Sequence, residues 1–291
     1  MGDDGSIVRV MPELPEVETI VRLVRPSVEG RVIRGTRVLW ANTVGGDAAR
    51  RSFGRRVRGA RISRLWRRGK FFLLDLERAG EGVGHLVGHL RMSGRLTMGK
   101  VGERPGSHDR LLLDLDDGNR LRFIDVRKFG RVQWHAELAS TMARLGPEPM
   151  DREFTSDWLY LALRGRRRAL KPLLLDQAFV AGLGNIYVDE SLHRARLHPR
   201  RLAHGVSRAA AVRLHLAITE IIAAAIRDEG SSFDTFYRTP QGQPGRYQES
   251  FRVYGRGGKP CPECGRAIRR ILVGQRGTHL CTRCQVAPRS V

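Results

Sequence analysis

Cysteine is absent from most of the chain, because all four cysteines lie between Cys261 and Cys284. None is left for disulfides elsewhere, which fits a reducing cytoplasm. Long apolar runs are also absent, and no stretch approaches the roughly 18 residues that a membrane span needs. Residues 1–10 contain two aspartates and no apolar core, unlike a secretory signal. We therefore expect a cytoplasmic protein with no membrane partner.

Acidic residues are scarce relative to basic ones: 30 Asp and Glu stand against 52 Lys and Arg, which gives a net charge of +22. Between Arg50 and Lys70 there are ten basic residues and no acidic one. Such a balance indicates a polyanionic partner, with nucleic acid as the first candidate. A ribosome-associated protein and a coding bias toward arginine are the alternatives. The 291 residues, 41% of them hydrophobic, suffice for two domains with cores of their own.

The run Met11-Pro12-Glu13-Leu14-Pro15-Glu16-Val17-Glu18 has the character of a protein's beginning, although ten residues precede it. A chain that started at Met11 would lose that methionine and leave Pro12 with a secondary amine, which can attack a sugar carbon. Inside a longer chain the same nitrogen is a tertiary amide without an available lone pair. We interpret residues 1–10 as a mis-called or non-native leader, and a native arm is the other interpretation.

The pattern of apolar residues changes twice along the chain. Leu14 to Val24 is typical of one amphipathic helix, and residues 32–134 contain short apolar runs of strand length. Asp117-Gly118, between two such runs, indicates a hairpin turn. This part predicts an antiparallel sandwich or barrel. Residues 145–150 contain a glycine and two prolines and predict a linker between domains.

Beyond the linker the apolar period is helical. We predict helices over Thr155–Arg164, Lys171–Gln177, Ile186–Arg194 and Ser207–Asp228, with Ser207 as the N-cap of the last. Gly182 and Gly184 precede a helix that begins near Asn185, and such a helix start can bind a phosphate. Asn185 would cap that helix and could donate to the same phosphate. A plain corner between two helices is the alternative.

The four cysteines form two pairs, Cys261 with Cys264 and Cys281 with Cys284, and sixteen residues separate the pairs. Four thiolates in two tight knuckles can surround one Zn²⁺ tetrahedrally, and a closed site of this kind is structural rather than catalytic. A redox dithiol and an iron–sulfur cluster are the alternatives. Residues 268–273 and 277–280 predict a two-stranded ribbon, whose arginines either contact phosphates or are solvated.

Seven segments, in order along nearly the whole chain, resemble the formamidopyrimidine-DNA glycosylases, bacterial enzymes that excise oxidised purines and nick the strand. The matching segments are residues 11–18, 68–70, 89–94, 125–130, 169–176, 182–187 and the cysteine module with residues 275–278. The resemblance implies an α+β multidomain protein with an N-terminal helix and antiparallel β-sandwich, a helix–two-turn–helix domain and a four-cysteine zinc-ribbon finger. The implied boundaries are 11–144, a linker at 145–150, 151–250 with a lesion loop, and 251–291.

The resemblance also implies an enzyme, a DNA glycosylase with lyase activity at abasic sites. Pro12 would be the nucleophile that forms a Schiff base, and Glu13 the acid and base that moves protons. Glu16 would be a supporting carboxylate that orients the amine or the helix start. Lys70 matches a family lysine that contacts the phosphate beside the lesion. Successive β- and δ-elimination would then cut both sides of the sugar.

The DNA contacts follow from the same resemblance. Met92, Arg127 and Phe129 match the residues that fill the space vacated by the extruded base. Asn185 and Arg276 would hold flanking phosphates, and Lys171 would add a phosphate or loop contact. The implied partner is double-stranded DNA with oxidised bases or abasic sites, and the implied cofactor is one structural Zn²⁺. We expect a monomer in the bacterial cytoplasm, associated with the nucleoid.

Three alternatives remain open. If residues 1–10 are retained, the protein would be a non-catalytic binder of lesions or abasic sites. The endonuclease VIII branch, which prefers oxidised pyrimidines, is the second, although Leu14 and Pro15 favour the formamidopyrimidine branch. A zinc-ribbon RNA or ribosome factor is the third, and Pro12-Glu13 argues against it. The loop at residues 231–246 is about one residue longer than its common form, so the lesion preference is open.

Overall fold

The structure is a computed structural model that describes residues 11–232 and 237–287. The predicted leader and residues 233–236 of the predicted lesion loop lie outside the described residues. Residues 11–143 form one compact unit together with the described part of 229–245, and residues 144–228 form a second with 246–287. In this division the described residues of the predicted lesion loop group with the N-terminal residues, and those of the predicted finger group with the helices.

The N-terminal unit contains short helices and two four-stranded antiparallel sheets. Its helices are α1 (Leu14–Val28), α2 (Ala41–Val44), α3 (Asp47–Val57) and α4 (Ala139–Met142). Its strands are β1 (Ile33–Val38), β2 (Arg61–Arg68), β3 (Phe71–Arg78), β4 (Glu81–His89), β5 (Gly94–Lys100), β6 (Asp109–Leu115), β7 (Asn119–Asp125) and β8 (Arg131–His135). The strand orders are β1-β6-β7-β5 and β2-β3-β4-β8.

One apolar core lies between these elements and makes the unit a β-sandwich. Val17, Ile20 and Val24 of α1 are fully buried against side chains from both sheets, such as Leu65 and Leu113. Residues three and four apart on a helix share a face, which is why α1 buries this stripe. The predicted sandwich is confirmed, and the barrel alternative is wrong.

The local predictions for this unit have mixed outcomes. The Asp117-Gly118 hairpin is confirmed, since β6 pairs with β7 and Gly118 has the positive φ of +79° that such turns need. Helix α1 runs four residues past its predicted end at Val24. Helix α3 was not predicted. Its Phe53 and Val57 are buried four residues apart, a spacing too short to separate a helix from a strand by pattern alone.

The second unit is helical, with a small ribbon. Its helices are α5 (Ser156–Arg164), α6 (Leu170–Leu174), α7 (Asn185–Arg194) and α8 (Arg208–Arg227), and its strands are β9 (Arg269–Val273) and β10 (Arg276–Leu280). Residues 203–205 and 247–250 form single 3₁₀ turns. The predicted ribbon is confirmed, because β9 and β10 pair antiparallel. The predicted second helix is shorter than expected and ends at Leu174 rather than Gln177.

Helix starts in this unit follow the capping rules. Ser207 caps α8 and accepts a hydrogen bond from the Ala210 amide, and Thr155 caps α5 in the same way with the Trp158 amide. The cap predicted for Ser207 is confirmed. The cap predicted for Asn185 is wrong, since Gly184 is the N-cap of α7 and Asn185 is its first helical residue.

Helix α8 is long and apolar enough, by length and composition alone, to cross a membrane. The prediction that no stretch approaches this length is therefore wrong for α8. The interior helix of a compact domain passes the same test, and α8 buries Leu214, Ile218, Ile221 and Ile222 on one face. That buried face is what an interior helix of this unit requires.

The predicted linker is packed inside the second unit. The Gly146 amide donates to the Gln177 carbonyl at 2.9 Å, and the Ala181 amide donates to the Pro147 carbonyl at 3.0 Å. A Cβ at Gly146 would lie 2.5 Å from the Phe179 carbonyl oxygen, so only glycine fits this approach. Residues 146 and 147 thus act as part of the helical unit.

Two glycines of β4 provide a matched stability test. A Cβ at Gly88 would lie 1.9 Å from the Phe72 ring, whereas a Cβ at Gly82 would meet nothing within 4 Å. Gly88→Ala should lower the free energy of unfolding by about 1–3 kcal/mol or more, because the core cannot accommodate the methyl group. Gly82→Ala should stay within about 0.5 kcal/mol of the parent. Urea unfolding measures both, and equal values for the two variants would contradict the packing described here.

Candidate functional site

The start of α1 is a buried polar cluster. Pro12 and Glu13 are buried, and Glu13 is the N-cap residue of the helix. The Glu16 carboxylate is 1% exposed and accepts the Glu13 amide at 2.8 Å, as in a capping box. The predicted supporting role of Glu16 at the helix start thus has a geometric basis.

The second oxygen of Glu16 holds another segment of the same unit. Glu16 Oε1 accepts the Ser231 amide at 2.8 Å and the Ser231 hydroxyl at 3.1 Å. Gly230 has a φ of +79°, and a Cβ there would lie 2.9 Å from Glu16. Glycine is therefore required both by the backbone conformation and by the space. One carboxylate fixes the helix start and the first residues of the predicted lesion loop.

Tyr237 anchors the middle of that loop. Its ring is buried in the sandwich core, and its hydroxyl donates to the Glu229 carbonyl at 2.9 Å. Burial and the negative charge of Glu16 raise the pKa of Tyr237 well above its ordinary value, so the phenol stays protonated. Ser232 accepts the Gly245 amide at 2.9 Å. The described ends of the loop are thus bonded to one another and to the core.

Lys70 lies in the two-residue turn between β2 and β3, after Gly69 with its φ of +58°. It is 6% exposed. Nearby His89 is also buried, and that burial, with the charges of Arg91 and Lys70, lowers the pKa of His89 to about 3. His89 is therefore neutral at pH 7, and its Nδ1 accepts the Arg91 amide at 2.9 Å.

The three predicted void-filling residues lie together. Arg127 Nη1 lies 3.1 Å from the Met92 sulfur, and its guanidinium stands 4.9 Å from the centre of the Phe129 ring. Phe129 is 48% exposed, which is unusual for a ring that contributes to a core. Phe129 therefore does not serve as a core residue. The Met92 thioether, the Arg127 cation and the Phe129 ring thus form one group, which we call the void-filling group.

Asp125, which was not predicted as a site residue, holds the two loops that carry this group. Its side chain is 1% exposed and accepts the Ser93 hydroxyl at 2.5 Å and the Gly130 amide at 2.7 Å. The Ser93 oxygen accepts the Arg127 amide at 3.1 Å. The sequence did contain a signal for this role of Asp125. An aspartate that precedes a loop often accepts hydrogen bonds from the backbone amides that follow it.

In the second unit, Lys171 and Asn185 meet at one backbone oxygen. Lys171 Nζ and Asn185 Nδ2 each donate to the Gly277 carbonyl at 3.0 Å. Lys171 is fully buried, and its ammonium pairs with Asp189 at 2.6 Å. The resemblance gave Lys171 a phosphate or a loop contact. In this structure its ammonium is held by Asp189 and the Gly277 carbonyl, and the phosphate or loop contact stays a prediction. Arg276, next in the chain to Gly277, is exposed.

Two adjacent carboxylates on α7 attach the finger to the helices, and the sequence argument did not identify them. Asp189 Oδ2 accepts the His279 amide at 2.8 Å. Glu190 accepts the amides of Arg252, Val253 and Tyr254 at 2.7–3.0 Å. Burial raises the pKa of Glu190, and these three amides counteract that rise. Two adjacent acidic residues in the middle of the helix, directly after Ile186, Tyr187 and Val188, were the signal that could have indicated this role.

The four cysteine sulfurs form a compact cluster. All lie within 4.8 Å of one another, with Cys261 and Cys284 at 3.9 Å and Cys264 and Cys281 at 3.4 Å. Zn–S bonds of about 2.3 Å place the sulfurs of a tetrahedral site about 3.8 Å apart. The cluster therefore fits one structural zinc ion. Four thiolates leave no position for a substrate.

Three family models match the chain in order. Residues 11–132 match the formamidopyrimidine-DNA glycosylase N-terminal domain, and residues 145–237 match the formamidopyrimidine-DNA glycosylase H2TH domain. Residues 258–286 match a zinc finger found in this glycosylase family and in isoleucyl-tRNA synthetases. Together the matches cover both units, including the α1 start and the cysteine cluster.

Individual proteins are similar over almost the same length. The formamidopyrimidine-DNA glycosylase of Cytobacillus firmus is 41% identical over 95% of this chain and all of that protein. A Thermus thermophilus structure of such a glycosylase is 40% identical, with a TM-score of 0.82 over 94% of this chain and 98% of its own. A Lactococcus lactis glycosylase bound to DNA with an abasic site is 32% identical, with a TM-score of 0.84 over 94% of this chain and all of its own.

Metal analysis tests the cysteine cluster. We expect one zinc per chain, and Cys264→Ala should lose it and unfold at a lower temperature, because three thiolates no longer close the site. Thr282→Ala is the matched control, because Thr282 lies between Cys281 and Cys284 but is not a ligand. This variant should keep both the zinc and the unfolding temperature of the parent. Elemental analysis and thermal unfolding provide the readout. Equal zinc content in the two variants would contradict a four-cysteine site.

The buried pair of Lys171 and Asp189 allows a double-mutant cycle. Lys171→Met leaves the Asp189 charge buried without its cation and should cost about 3–5 kcal/mol of unfolding free energy. Adding Asp189→Asn removes that charge and keeps an acceptor for the His279 amide, so the double variant should be more stable than Lys171→Met alone. Chemical unfolding measures the free energy of unfolding of each variant in the cycle. Additive effects of the two changes would show that the pair is not coupled.

Proposed function

The chain belongs to the formamidopyrimidine-DNA glycosylase family, and on that premise we propose that it excises oxidised purines from duplex DNA. We further propose that it cleaves the resulting abasic site by β,δ-elimination through a Schiff base on Pro12. The geometry that carries the proposal is the buried carboxylate of Glu16, which holds the helix start directly after Pro12 and Glu13.

In the proposed reaction, the Pro12 amine attacks the anomeric carbon, and the bond to the damaged base breaks as the base leaves with a proton. Glu13 protonates the sugar ring oxygen, and the ring opens to an iminium. Because the amine is secondary, this iminium is permanently cationic and acidifies the neighbouring sugar proton. Loss of that proton expels the 3′ phosphate, and a second elimination expels the 5′ phosphate.

The group of Met92, Arg127 and Phe129 supports an extruded base. When a nucleotide leaves the stack, the vacated space must be filled or the duplex collapses back. An exposed ring next to a cation and a thioether can wedge between bases and bond the orphaned partner base. Asp125 and Ser93 would position this group without touching DNA.

Phosphate contacts are the proposed role of Lys70, Asn185 and Arg276. Lys70 would contact the phosphate beside the lesion. Asn185 and Arg276 would hold flanking phosphates. Lys171 would act indirectly, because its ammonium donates to the Gly277 carbonyl beside Arg276.

The preference for oxidised purines has support from the named relatives. One Lactococcus lactis complex contains an abasic site, and another contains a formamidopyrimidine lesion of guanine. By likeness to these bacterial proteins, we propose the same substrates here, with the cytoplasm and the nucleoid as the place of action. The oxidised-pyrimidine branch remains the second candidate, and substrate comparison distinguishes the two.

Two versions of the chain test the mechanism. A chain translated from Met11 should lose that methionine and expose the Pro12 amine, whereas a chain that retains residues 1–10 keeps it as an amide. Only the first should be trapped by borohydride on duplexes with an abasic site or 8-oxoguanine, because an amide cannot form an iminium. N-terminal sequencing and intact mass establish which version each preparation contains.

The outcomes separate the alternatives. Trapping of both versions would refute Pro12 as the nucleophile. Trapping of neither, with tight binding to lesion-containing duplex retained, would favour the non-catalytic binder. Equal binding to RNA and to lesion-containing duplex would favour the RNA or ribosome factor.

A further inference from the structure

A groove lined by five arginines lies on the N-terminal unit, and neither the proposed chemistry nor the predicted DNA contacts use it. Its volume is about 740 Å³, and Thr36, Val38, Leu39 and Gly54 complete its lining. We call it the arginine groove, and its arginines are Arg37 of β1, Arg50, Arg51 and Arg55 of α3, and Arg58 directly after α3.

The fold builds this groove by bringing α3 close to β1. Phe53 and Val57 anchor one face of α3 in the sandwich core. A Cβ at Gly54 would lie 3.1 Å from the Thr36 hydroxyl, so the helix backbone approaches the strand tightly at this point. The arginines of the two elements then surround the space between them.

These five guanidinium groups have no carboxylate partner among the described residues. Across residues 11–232 and 237–287, none of them forms an ion pair within 4.0 Å, and all five residues are exposed. Other arginines of the same unit are paired, such as Arg67 with Glu18 at 2.7 Å and Arg122 with Asp109 at 2.8 Å. The groove therefore gathers five arginines that the carboxylates of the described residues do not neutralise.

Such an arrangement has a cost in the free protein. Arg51 and Arg55 are four residues apart on α3, a spacing at which like charges destabilise a helix. A cleft lined by one sign of charge also focuses the electrostatic potential and attracts counter-ions. Arginine presents a planar fork of donors that matches phosphate oxygens, so phosphate is the anion that this lining fits.

The position of the groove favours DNA as the source of that phosphate. Leu39 lines the groove, and the next residue, Trp40, lies under the Lys128 ammonium at 4.4 Å from the ring centre. Lys128 directly precedes Phe129, the exposed ring of the void-filling group. The chain segment that lines the groove thus contacts, through Trp40, the loop that carries Phe129, where the proposed function places a DNA contact.

We propose that the arginine groove binds backbone phosphates of duplex DNA beyond the lesion, as a contact independent of base sequence. This proposal rests on the proposed function in one respect, namely that the substrate is DNA. It does not depend on the Pro12 chemistry. Phosphate contacts of this kind position a protein on DNA and carry no sequence information.

The test compares two double variants of equal charge. Arg51→Gln/Arg55→Gln removes two groove arginines, and Arg213→Gln/Arg227→Gln removes two exposed arginines of α8. Binding to an undamaged duplex, long enough to extend past the lesion contacts, is measured from about 50 to 200 mM salt. The slope of log K against log salt is negative, and each phosphate contact contributes about 0.9 to its magnitude. In the groove variant this magnitude should therefore be smaller by about 1.8. The α8 variant should leave the slope near that of the parent.

Two further measurements make the result decisive. Borohydride trapping on an abasic duplex at low salt should persist in both variants of a chain that begins at Pro12, so failure of the proposed function would be seen separately. Inorganic triphosphate is the small-anion probe. An unchanged slope in the groove variant, or a loss equal to that of the α8 variant, would overturn the proposal. So would loss of triphosphate binding with duplex binding intact, since the groove would then be a site for small anions.

Discussion

The hydrogen bonds accepted by buried Glu16 are the interaction on which the N-terminal site depends. One of its oxygens accepts the Glu13 amide, and the other accepts the amide and hydroxyl of Ser231. Hydrogen bonds to a charged group contribute about 1.5–3 kcal/mol each, and leaving such a group buried without them costs more. The helix start and the beginning of the following loop therefore keep one arrangement. Each of these contacts is to backbone or to a short side chain, which leaves little freedom at the position where Pro12 would act.

Buried carboxylates hold loops in the same way at two other places. Asp125 accepts groups from both loops of the void-filling residues, and Asp189 and Glu190 accept the amides that attach the finger to α7. Each carboxylate is nearly fully buried, so its charge must be satisfied by several donors at once. A loop held in this way presents its side chains from a defined backbone. Phe129 and Arg276, the exposed side chains among the proposed DNA contacts, can then be presented without being loosely placed.

The sequence predicted the features that depend on residues close to one another in the chain. The cysteine spacing, the Asp117-Gly118 hairpin and the Ser207 cap each depend on residues a few positions apart, and the structure confirms all three. It did not predict the contacts between residues that are far apart in the chain. The resemblance gave Lys171 a phosphate or a loop contact, but nothing near it in the chain indicated that its ammonium is buried by Asp189 and by the Gly277 carbonyl, 106 residues away in the chain. Helix α3 was missed because its charged surface dominates the pattern and only two of its residues show a buried spacing.

The net charge has a meaning only once its distribution is known. An excess of arginine from coding bias would be scattered, and many arginines here do pair with carboxylates on the sandwich. The arginine groove is different, because its charges are gathered by two elements and no carboxylate of the described residues neutralises them. A protein that must find rare damage in long DNA gains from contacts that work at every position, since these allow it to slide and hop between sites. Such contacts are of use only if they lie outside the lesion pocket, because groups that read the damaged base are engaged only after the search has ended. A groove beside the void-filling loop, rather than within it, meets that requirement.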